Sequence, residues 1–355
     1  MLKNKTFVTF FTNFEYQHFN KDVGMIPVAM KKYAGINAKI LYYSKKDVQI
    51  DESHDVELVN LYNYSFLGFL NIYLFLICNS YKISYLNLYH LYYKSYILLL
   101  IYKFCNWKGN VYLKLDMNSF NAELINKRSK LKLIHTKFIL KYFVKVISVE
   151  TLFCHKILQS KFKNIKEKIH YLPNGSSFEF KLKEEYNKEN VVLYVGRIGS
   201  YEKNVEMFLS SLVNIDLKDW KVYLIGPVSE EFKKTIKKSE IENNKNIFFL
   251  GNIDDRNILA SYYQKSKVLC LTSRWESFGI VLSEALFYNN YIISTPVGAA
   301  IDIINEKNGI IINDSFEMKT ILEQIISGER NIEVNNINIL NIFSYKNIVN
   351  KIVNK

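Results

Sequence analysis

The sequence predicts an α/β protein built from two domains, each a parallel β-sheet covered by helices on both faces. Three observations lead to this prediction. Short apolar, β-branched and aromatic runs alternate with helical patterns, and this alternation restarts after a turn-rich segment near residue 175. The length of 355 residues suits two domains better than one. The composition, 49% hydrophobic and 23% charged, excludes an intrinsically disordered chain.

The first half contains six strand-like segments with helical patterns between them. The predicted strands are residues 7–11, 38–43, 56–60, 85–89, 111–115 and 144–149. The predicted helices are residues 28–33, 92–104 and 131–141. Because each strand is separated from the next by a helix-sized segment, the strands are expected to run parallel.

Turn residues cluster at 171–177, and a charged stretch, 181–189, follows, which predicts a linker. The domains are therefore expected at residues 1–175 and 176–340. The second domain repeats the pattern, with predicted strands at 191–196, 221–226, 246–250, 267–271 and 291–294. A final helical segment, 341–355, can pack back on the first domain or elsewhere. Two such domains would face each other across a cleft at the carboxyl ends of their strands, where open α/β sheets bind ligands.

Charge is distributed unevenly along the chain. Residues 1–175 contain 25 Lys and Arg against 11 Asp and Glu, whereas the remainder contains 22 against 23. This asymmetry predicts that the first domain meets an anionic partner: nucleic acid, acidic lipid headgroups or a phosphorylated substrate. The alternative is a lysine-rich composition without any particular partner.

The sequence also indicates a compartment. Four cysteines without a C-x-x-C spacing argue against a disulfide framework or a zinc site, and they suit a reducing cytoplasm. The most apolar segment, residues 66–78, is too short to cross a bilayer. We therefore expect a cytoplasmic protein, with reversible peripheral attachment to the inner face of the plasma membrane.

Two glutamates eight positions apart, Glu276 and Glu284, mark the most informative motif. The first lies in a loop that follows a buried-looking strand, and the second lies inside a helical pattern that begins after Gly279. A strand that leads into a helix through small residues exposes backbone N–H groups, which favour an anion. The alternative is an ordinary helix start with one solvated glutamate.

A second motif is the basic, glycine-containing loop at residues 196–204. Gly196 and Gly199 allow close approach of a ligand to the backbone, and Arg197 and Lys203 offer two cations. The alternative is a tight strand–helix turn. A third strand-end turn, residues 295–300, completes the set.

Together these motifs resemble the retaining glycosyltransferases of family 4, a group 1 family that carries an E-x7-E motif. The resemblance rests on Gly196-Arg197, Lys203, Glu276-Ser-Phe-Gly279, Glu284-Ala285 and Thr295-Pro-Val-Gly298. Two motifs of the first half, residues 147–151 and 171–175, are typical of the end of that family's first domain. The resemblance implies a GT-B fold, with two Rossmann-like domains that bind the acceptor and the nucleotide-sugar donor respectively.

The resemblance also implies roles for individual residues. Arg197 and Lys203 would bind the donor diphosphate and stabilise the leaving nucleotide, Glu276 would contact the donor sugar, and Glu284 would accept from the ribose hydroxyls. The backbone near sugar and phosphate would come from Ser277, Phe278, Gly279 and Ile280.

In the first domain the resemblance is looser. Gly24 stands where the family has a glycine-rich loop, and we expect it to be the position of closest approach to the ligand. Its neighbours Lys21 and Asp22 would touch a substrate or lie in a solvated loop. His90 matches a family histidine at a strand end and is expected to be catalytic, the alternative being a core histidine.

The sequence contains no D-x-D triplet, so we expect no metal, with Arg197 and Lys203 supplying the positive charge instead. Lys114 and Asp116 end a strand and would face the cleft or form a structural ion pair.

The resulting interpretation is a metal-independent, retaining glycosyltransferase of surface polysaccharide biosynthesis. It would use a nucleotide-sugar donor and a glycan or polyprenyl-diphosphate-linked acceptor, with possible attachment to anionic membrane and no nucleic acid partner. The alternatives are an epimerase or a sugar phosphorylase on the same fold and, from another class, a basic nucleic-acid-binding protein.

Overall fold

The structure, a computed structural model, divides into two compact units: Met1–Ser177 with Ile342–Lys355, and Phe178–Asn341. It describes residues 5–49, 54–62, 64–90, 92–129, 133–176, 187–236, 241, 244–334 and 341–354. The expected boundary after residue 175 lies two positions from this division. Most of the predicted linker, residues 177–186, falls outside the described residues.

The first unit contains a seven-stranded sheet in which every neighbouring pair is parallel. Its strands are β1 (Thr6–Phe10), β2 (Asn37–Tyr42), β3 (Glu57–Asn60), β4 (Tyr85–Tyr89), β5 (Asn110–Leu115), β6 (Val146–Val149) and β7 (Ile169–Tyr171). Their order across the sheet is β3-β2-β1-β4-β5-β6-β7. The central strands are almost continuously buried, which is why they read as apolar runs and not as alternating ones.

Among the described residues, six α-helices connect these strands. They are α1 (Asp22–Ala34), α2 (Asn71–Asn79), α3 (Tyr93–Cys105), α4 (Ser119–Lys127), α5 (Ile134–Phe143) and α6 (Leu152–Lys161). Gly35, at φ 64°, ends α1 in the left-handed conformation that glycine adopts without strain. Helix α3 packs against both α2 and α5, so these three helices are neighbours.

The second unit contains a six-stranded parallel sheet. Its strands are β8 (Glu189–Val195), β9 (Lys221–Ile225), β10 (Ile247–Gly251), β11 (Ser266–Leu271), β12 (Tyr291–Ser294) and β13 (Gly309–Ile311). Its helices are α7 (Val205–Leu212), α8 (Glu230–Ile236), α9 (Arg256–Lys265), α10 (Ile280–Phe287), α11 (Ala300–Ile303) and α12 (Ser315–Ser327). The strand order, β10-β9-β8-β11-β12-β13, reverses between β8 and β11. In open α/β sheets the ligand lies at such a reversal, beyond the carboxyl ends of the strands.

The last helix, α13 (Tyr345–Val353), packs against α1 and so returns the chain to the first unit. Its anchor is Tyr345, whose hydroxyl donates to Asp22 Oδ1 over 2.9 Å. The ring of Tyr345 occupies the space where a side chain at Gly175 would stand, 2.5 Å from an ideal Cβ. The glycine of the 171–175 motif is therefore required for this packing.

Candidate functional site

The two predicted motif loops of the second unit lie side by side. One follows β8, the other follows β11, and these strands are neighbours on either side of the reversal in strand order. Thr272 Oγ1 donates to the backbone oxygen of Asn204 over 2.9 Å, which ties the second loop to the first. The fold thus brings together side chains that are about seventy positions apart in the sequence.

At the edge of the sheet where the loops after β8 and β11 meet, Lys203 and Glu276 form an ion pair. Lys203 Nζ lies 2.5 Å from Glu276 Oε1, and the Ser273 hydroxyl donates to the same oxygen over 2.7 Å. The side chains are only 19% and 12% exposed, so their attraction is screened less than that of a surface pair. Among the described residues no hydrogen bond reaches Glu276 Oε2, which leaves that oxygen available to a ligand.

Gly298 brings the third predicted element, the turn after β12, against this pair. It has a φ of +54°, and an added Cβ would lie 2.4 Å from the Phe278 backbone oxygen and 2.9 Å from Glu276 Cβ. The next residue, Ala299, donates its N–H to that Phe278 oxygen over 2.8 Å. Only glycine satisfies both the backbone angle and this close approach.

Helix α10 begins at Ile280, four residues after Glu276 in the chain. Gly279 precedes it at φ +87°, so the chain turns sharply from the loop into the helix. The side chain of Phe278 is buried, whereas Ser277 and Ile280 are half-buried. The first N–H groups of a helix have no partner within it and carry partial positive charge, so this helix start is suited to an anion.

Glu284 lies inside α10 and is buried, with 4% of its side chain exposed. Oε1 is paired with the guanidinium of Arg256, the first residue of α9, and Oε2 accepts from the Tyr263 hydroxyl over 2.7 Å. Burial, and then the neighbouring charge of Glu284, raises the pKa of Tyr263 well above its usual range. The alternative of a solvated glutamate is wrong. Neither partner was predicted from the sequence, although Arg256 is one of only five arginines in the chain.

Arg197 has a different environment. Its side chain is 66% exposed and is ion-paired with Glu202 on the same loop, not with Glu276. The two predicted cations therefore differ in burial. Lys203 is largely buried and paired with Glu276, whereas Arg197 is exposed and paired only with Glu202.

The two glycines of the loop after β8 differ as well. Gly199, at φ +86°, packs so tightly on α8 that a Cβ would lie 2.4 Å from Phe232 Cβ. The backbone angle and this close packing account for a glycine at position 199. A Cβ at Gly196 would make only ordinary contacts, the nearest at 3.5 Å to Tyr194. Lys203 Cδ would lie 3.8 Å from that Cβ, so a small side chain would fit here without a clash.

In the first unit, a buried ionic network surrounds Lys114. Its Nζ lies 2.8 Å from Asp22 Oδ2, 3.2 Å from Glu150 Oε1 and 2.8 Å from Asn174 Oδ1. Asp22 is therefore buried and not in a solvated loop, and Lys114 pairs with these carboxylates instead of Asp116. Burial raises the pKa of Glu150 well above its usual range, although the charge of Lys114 opposes that shift.

Gly24 and His90 are placed differently from what the sequence suggested. Gly24 lies within α1, not in a loop, and an added Cβ would be 2.6 Å from the His18 backbone oxygen. Packing of α1 on the preceding turn explains this glycine, and its contact with a ligand stays a prediction. His90 directly follows β4 at φ 60° and is half-buried, and its ring lies 5.3 Å from the Tyr92 ring at a tilt of 45°. Its catalytic role stays a prediction as well.

The segments that carry Lys203, Glu276 and Glu284 lie within a stretch of the chain that is similar to known proteins. Residues 176–336 match the glycosyl transferases group 1 family. A Campylobacter jejuni α-1,4-N-acetyl-D-galactosaminyltransferase, named for a PP-undecaprenol-linked acceptor, is 29% identical over 166 residues. That alignment covers 44% of this chain and 44% of the relative, so the chain spans less than half of the relative's length.

Two solved structures extend the similarity over the whole chain. The lipopolysaccharide outer core galactosyltransferase WaaB superimposes with a TM-score of 0.68 at 17% identity, covering 99% of each chain. Anabaena HepE in complex with UDP-glucose gives 0.64 at 13% identity, covering 98% of this chain and 94% of HepE. At these identities the likeness concerns the fold. The prediction of a GT-B fold with two Rossmann-like parallel-sheet domains is confirmed.

Proposed function

We propose that this protein is a retaining, metal-independent glycosyltransferase of family 4 that moves a sugar from a nucleotide-sugar donor to a glycan or polyprenyl-diphosphate-linked acceptor. The observation that carries this proposal is the Lys203–Glu276 pair, at the strand-order reversal of the unit that matches the group 1 family. The pair joins a cation for phosphate to a carboxylate for sugar hydroxyls.

The donor diphosphate would be held by Lys203, Arg197 and the start of α10. An exposed ion pair such as Arg197–Glu202 contributes only about 0–1 kcal/mol, so the guanidinium can exchange Glu202 for a phosphate at little cost. An ammonium has three N–H donors, so Lys203 can keep its bond to Glu276 while it binds a phosphate oxygen. Both cations would then stabilise the negative charge that develops on the departing nucleotide.

Glu276 and Glu284 would bind the two sugars of the donor. Lys203 and Ser273 fix Glu276 through Oε1, which leaves Oε2 for hydroxyls of the transferred sugar. Each oxygen of Glu284 uses one acceptor position, for Arg256 or Tyr263, and retains another for a ribose hydroxyl. The ribose would thus meet a carboxylate that Arg256 and Tyr263 already hold in place.

The retaining stereochemistry rests on the family resemblance. For the acceptor, support comes from the names of two similar proteins. The name of the Campylobacter jejuni relative includes a PP-undecaprenol-linked glycan, and WaaB is named a lipopolysaccharide outer core galactosyltransferase. We therefore propose a role in surface polysaccharide assembly, at the inner face of the plasma membrane. The similarities do not favour an epimerase, a phosphorylase or a nucleic-acid-binding protein.

Transfer should proceed at the full rate in EDTA, because Lys203 and Arg197 supply the positive charge that a metal would otherwise give to the diphosphate. The assay follows a radiolabelled sugar from its nucleotide donor to a lipid-diphosphate acceptor, with and without the chelator. A rate that vanishes in EDTA and returns with manganese would contradict metal independence. Absence of any transfer across a panel of donors and acceptors would instead count against the function itself.

A further inference from the structure

Large aromatic side chains are exposed mainly in the first unit. In the part of the chain that the structure describes, fourteen exposed Phe, Tyr and Trp side chains belong to this unit and four to the second. Several of them lie on or beside α2, α3 and α5, and we call this surface the aromatic face. It is defined here by Tyr81, Phe104, Trp107, Phe138 and Tyr142, of which Phe104 is 91% exposed.

Contacts between the three helices make the aromatic face continuous. Asn106, at the end of α3, donates to the Ser80 backbone oxygen over 2.8 Å and so ties α3 to the end of α2. On the other side, the rings of Trp107 and Phe138 lie 5.7 Å and 6.1 Å from the ring of Phe143. The exposed aromatics thus belong to one surface.

The charge of this region is strongly one-sided. Residues 58–149, which include the three helices, contain 12 Lys and Arg but only two Asp and Glu. Lysines lie beside the exposed rings: Lys82 Nζ is 5.1 Å from the centre of the Tyr81 ring, and Lys141 Nζ is 5.1 Å from that of Tyr142. Apolar rings flanked by lysines match the boundary between acyl chains and anionic headgroups.

We propose that the aromatic face docks on an anionic lipid bilayer, with aromatic side chains among the headgroups and lysines against lipid phosphates. None of the described helices has the length and hydrophobicity to cross a bilayer. Exposed aliphatic side chains on the same helices, Ile77 at 57% and Leu100 at 45%, favour lipid over single-stranded nucleic acid, which stacks bases on rings. The inference rests on the proposed function for the lipid-linked acceptor, but not for lipid binding itself.

The aromatic face also changes the salt dependence of membrane binding that net charge alone would predict. Attachment through lysines only is screened by salt and is released when the ionic strength rises. Burial of aromatic surface is nearly independent of salt. We therefore expect a salt-resistant fraction of binding that depends on the rings.

The test is sedimentation of the full chain with vesicles of phosphatidylcholine, alone or mixed with phosphatidylglycerol, at low and high salt. Wild type should prefer the anionic vesicles and keep part of its binding at high salt. The double variant F104S/W107S should bind at least about tenfold more weakly, because it removes two exposed apolar anchors. The control F316S removes a ring that is 77% exposed on α12 of the second unit, and it should bind like wild type.

Three results would overturn the proposal: equal binding of neutral and anionic vesicles, unchanged binding of F104S/W107S, or a wild-type dimer in sedimentation velocity that this variant abolishes. The last would assign the face to a second copy of the chain. The single variant F104S guards against a folding defect. Transfer to a water-soluble acceptor analogue should be the same in F104S/W107S and wild type. Its absence in both would count against the proposed function and not against the docking face.

Discussion

Replacing Arg256 with alanine should lower the free energy of unfolding by about 3–5 kcal/mol, because the variant leaves the Glu284 carboxylate buried without its ion-pair partner. The hydrogen bond from Tyr263 persists but carries no formal positive charge. Urea unfolding followed by circular dichroism measures the change, with the slope of the transition checked for each variant.

Arg197→Ala is the matched control. It also removes an arginine from an ion pair with a glutamate in the same unit, but the Arg197 side chain is 66% exposed, against 20% for Arg256. Its effect should be about 0–1 kcal/mol. If the two alanine variants lose similar stability, the Arg256–Glu284 pair does not have the role that its burial indicates.

Lys203→Ala should reduce both donor affinity and the rate of transfer by about tenfold to a hundredfold, the equivalent of a charge-assisted contact of about 1.5–3 kcal/mol. The variant removes the phosphate cation and also the partner that holds Glu276 in place. Titration calorimetry with the nucleotide sugar gives the affinity, and a radiolabel transfer assay gives the rate.

A surface lysine of the same unit provides the comparison. Lys233 forms an exposed pair with Glu230 on α8, so Lys233→Ala should leave both quantities at wild-type values. Donor affinity of Lys203→Ala within about twofold of wild type, with the fold intact, would remove Lys203 from the site. The fold of each variant is checked by its melting temperature.

The sequence predicted the two parallel sheets because their central strands are buried on both faces and read as apolar runs. It missed β7 and β13, which are only three residues long and leave too weak a pattern to detect. It also placed the first helical pattern at residues 28–33. The structure begins α1 at Asp22 and carries it through Pro27.

The candidate site was predicted less completely, because its partners are far apart along the chain. Lys203 and Glu276 were each identified from local motifs, but their direct contact follows only from the adjacency of β8 and β11. No local pattern ties Glu284 to an arginine 28 positions earlier. The same holds for Lys114, whose partner Asp22 starts α1 while Glu150 follows β6.

Hydrogen exchange of the full chain, with and without a panel of UDP-, GDP-, ADP- and dTDP-sugars, tests most directly whether the donor binds at the edge formed by β8 and β11. A donor at about a hundred times its dissociation constant stabilises the protein by about 2.7 kcal/mol, enough to slow exchange measurably. We expect one nucleotide class to protect residues 196–204, 272–280 and 295–300. Protection confined to other segments, or none with any donor, would contradict it.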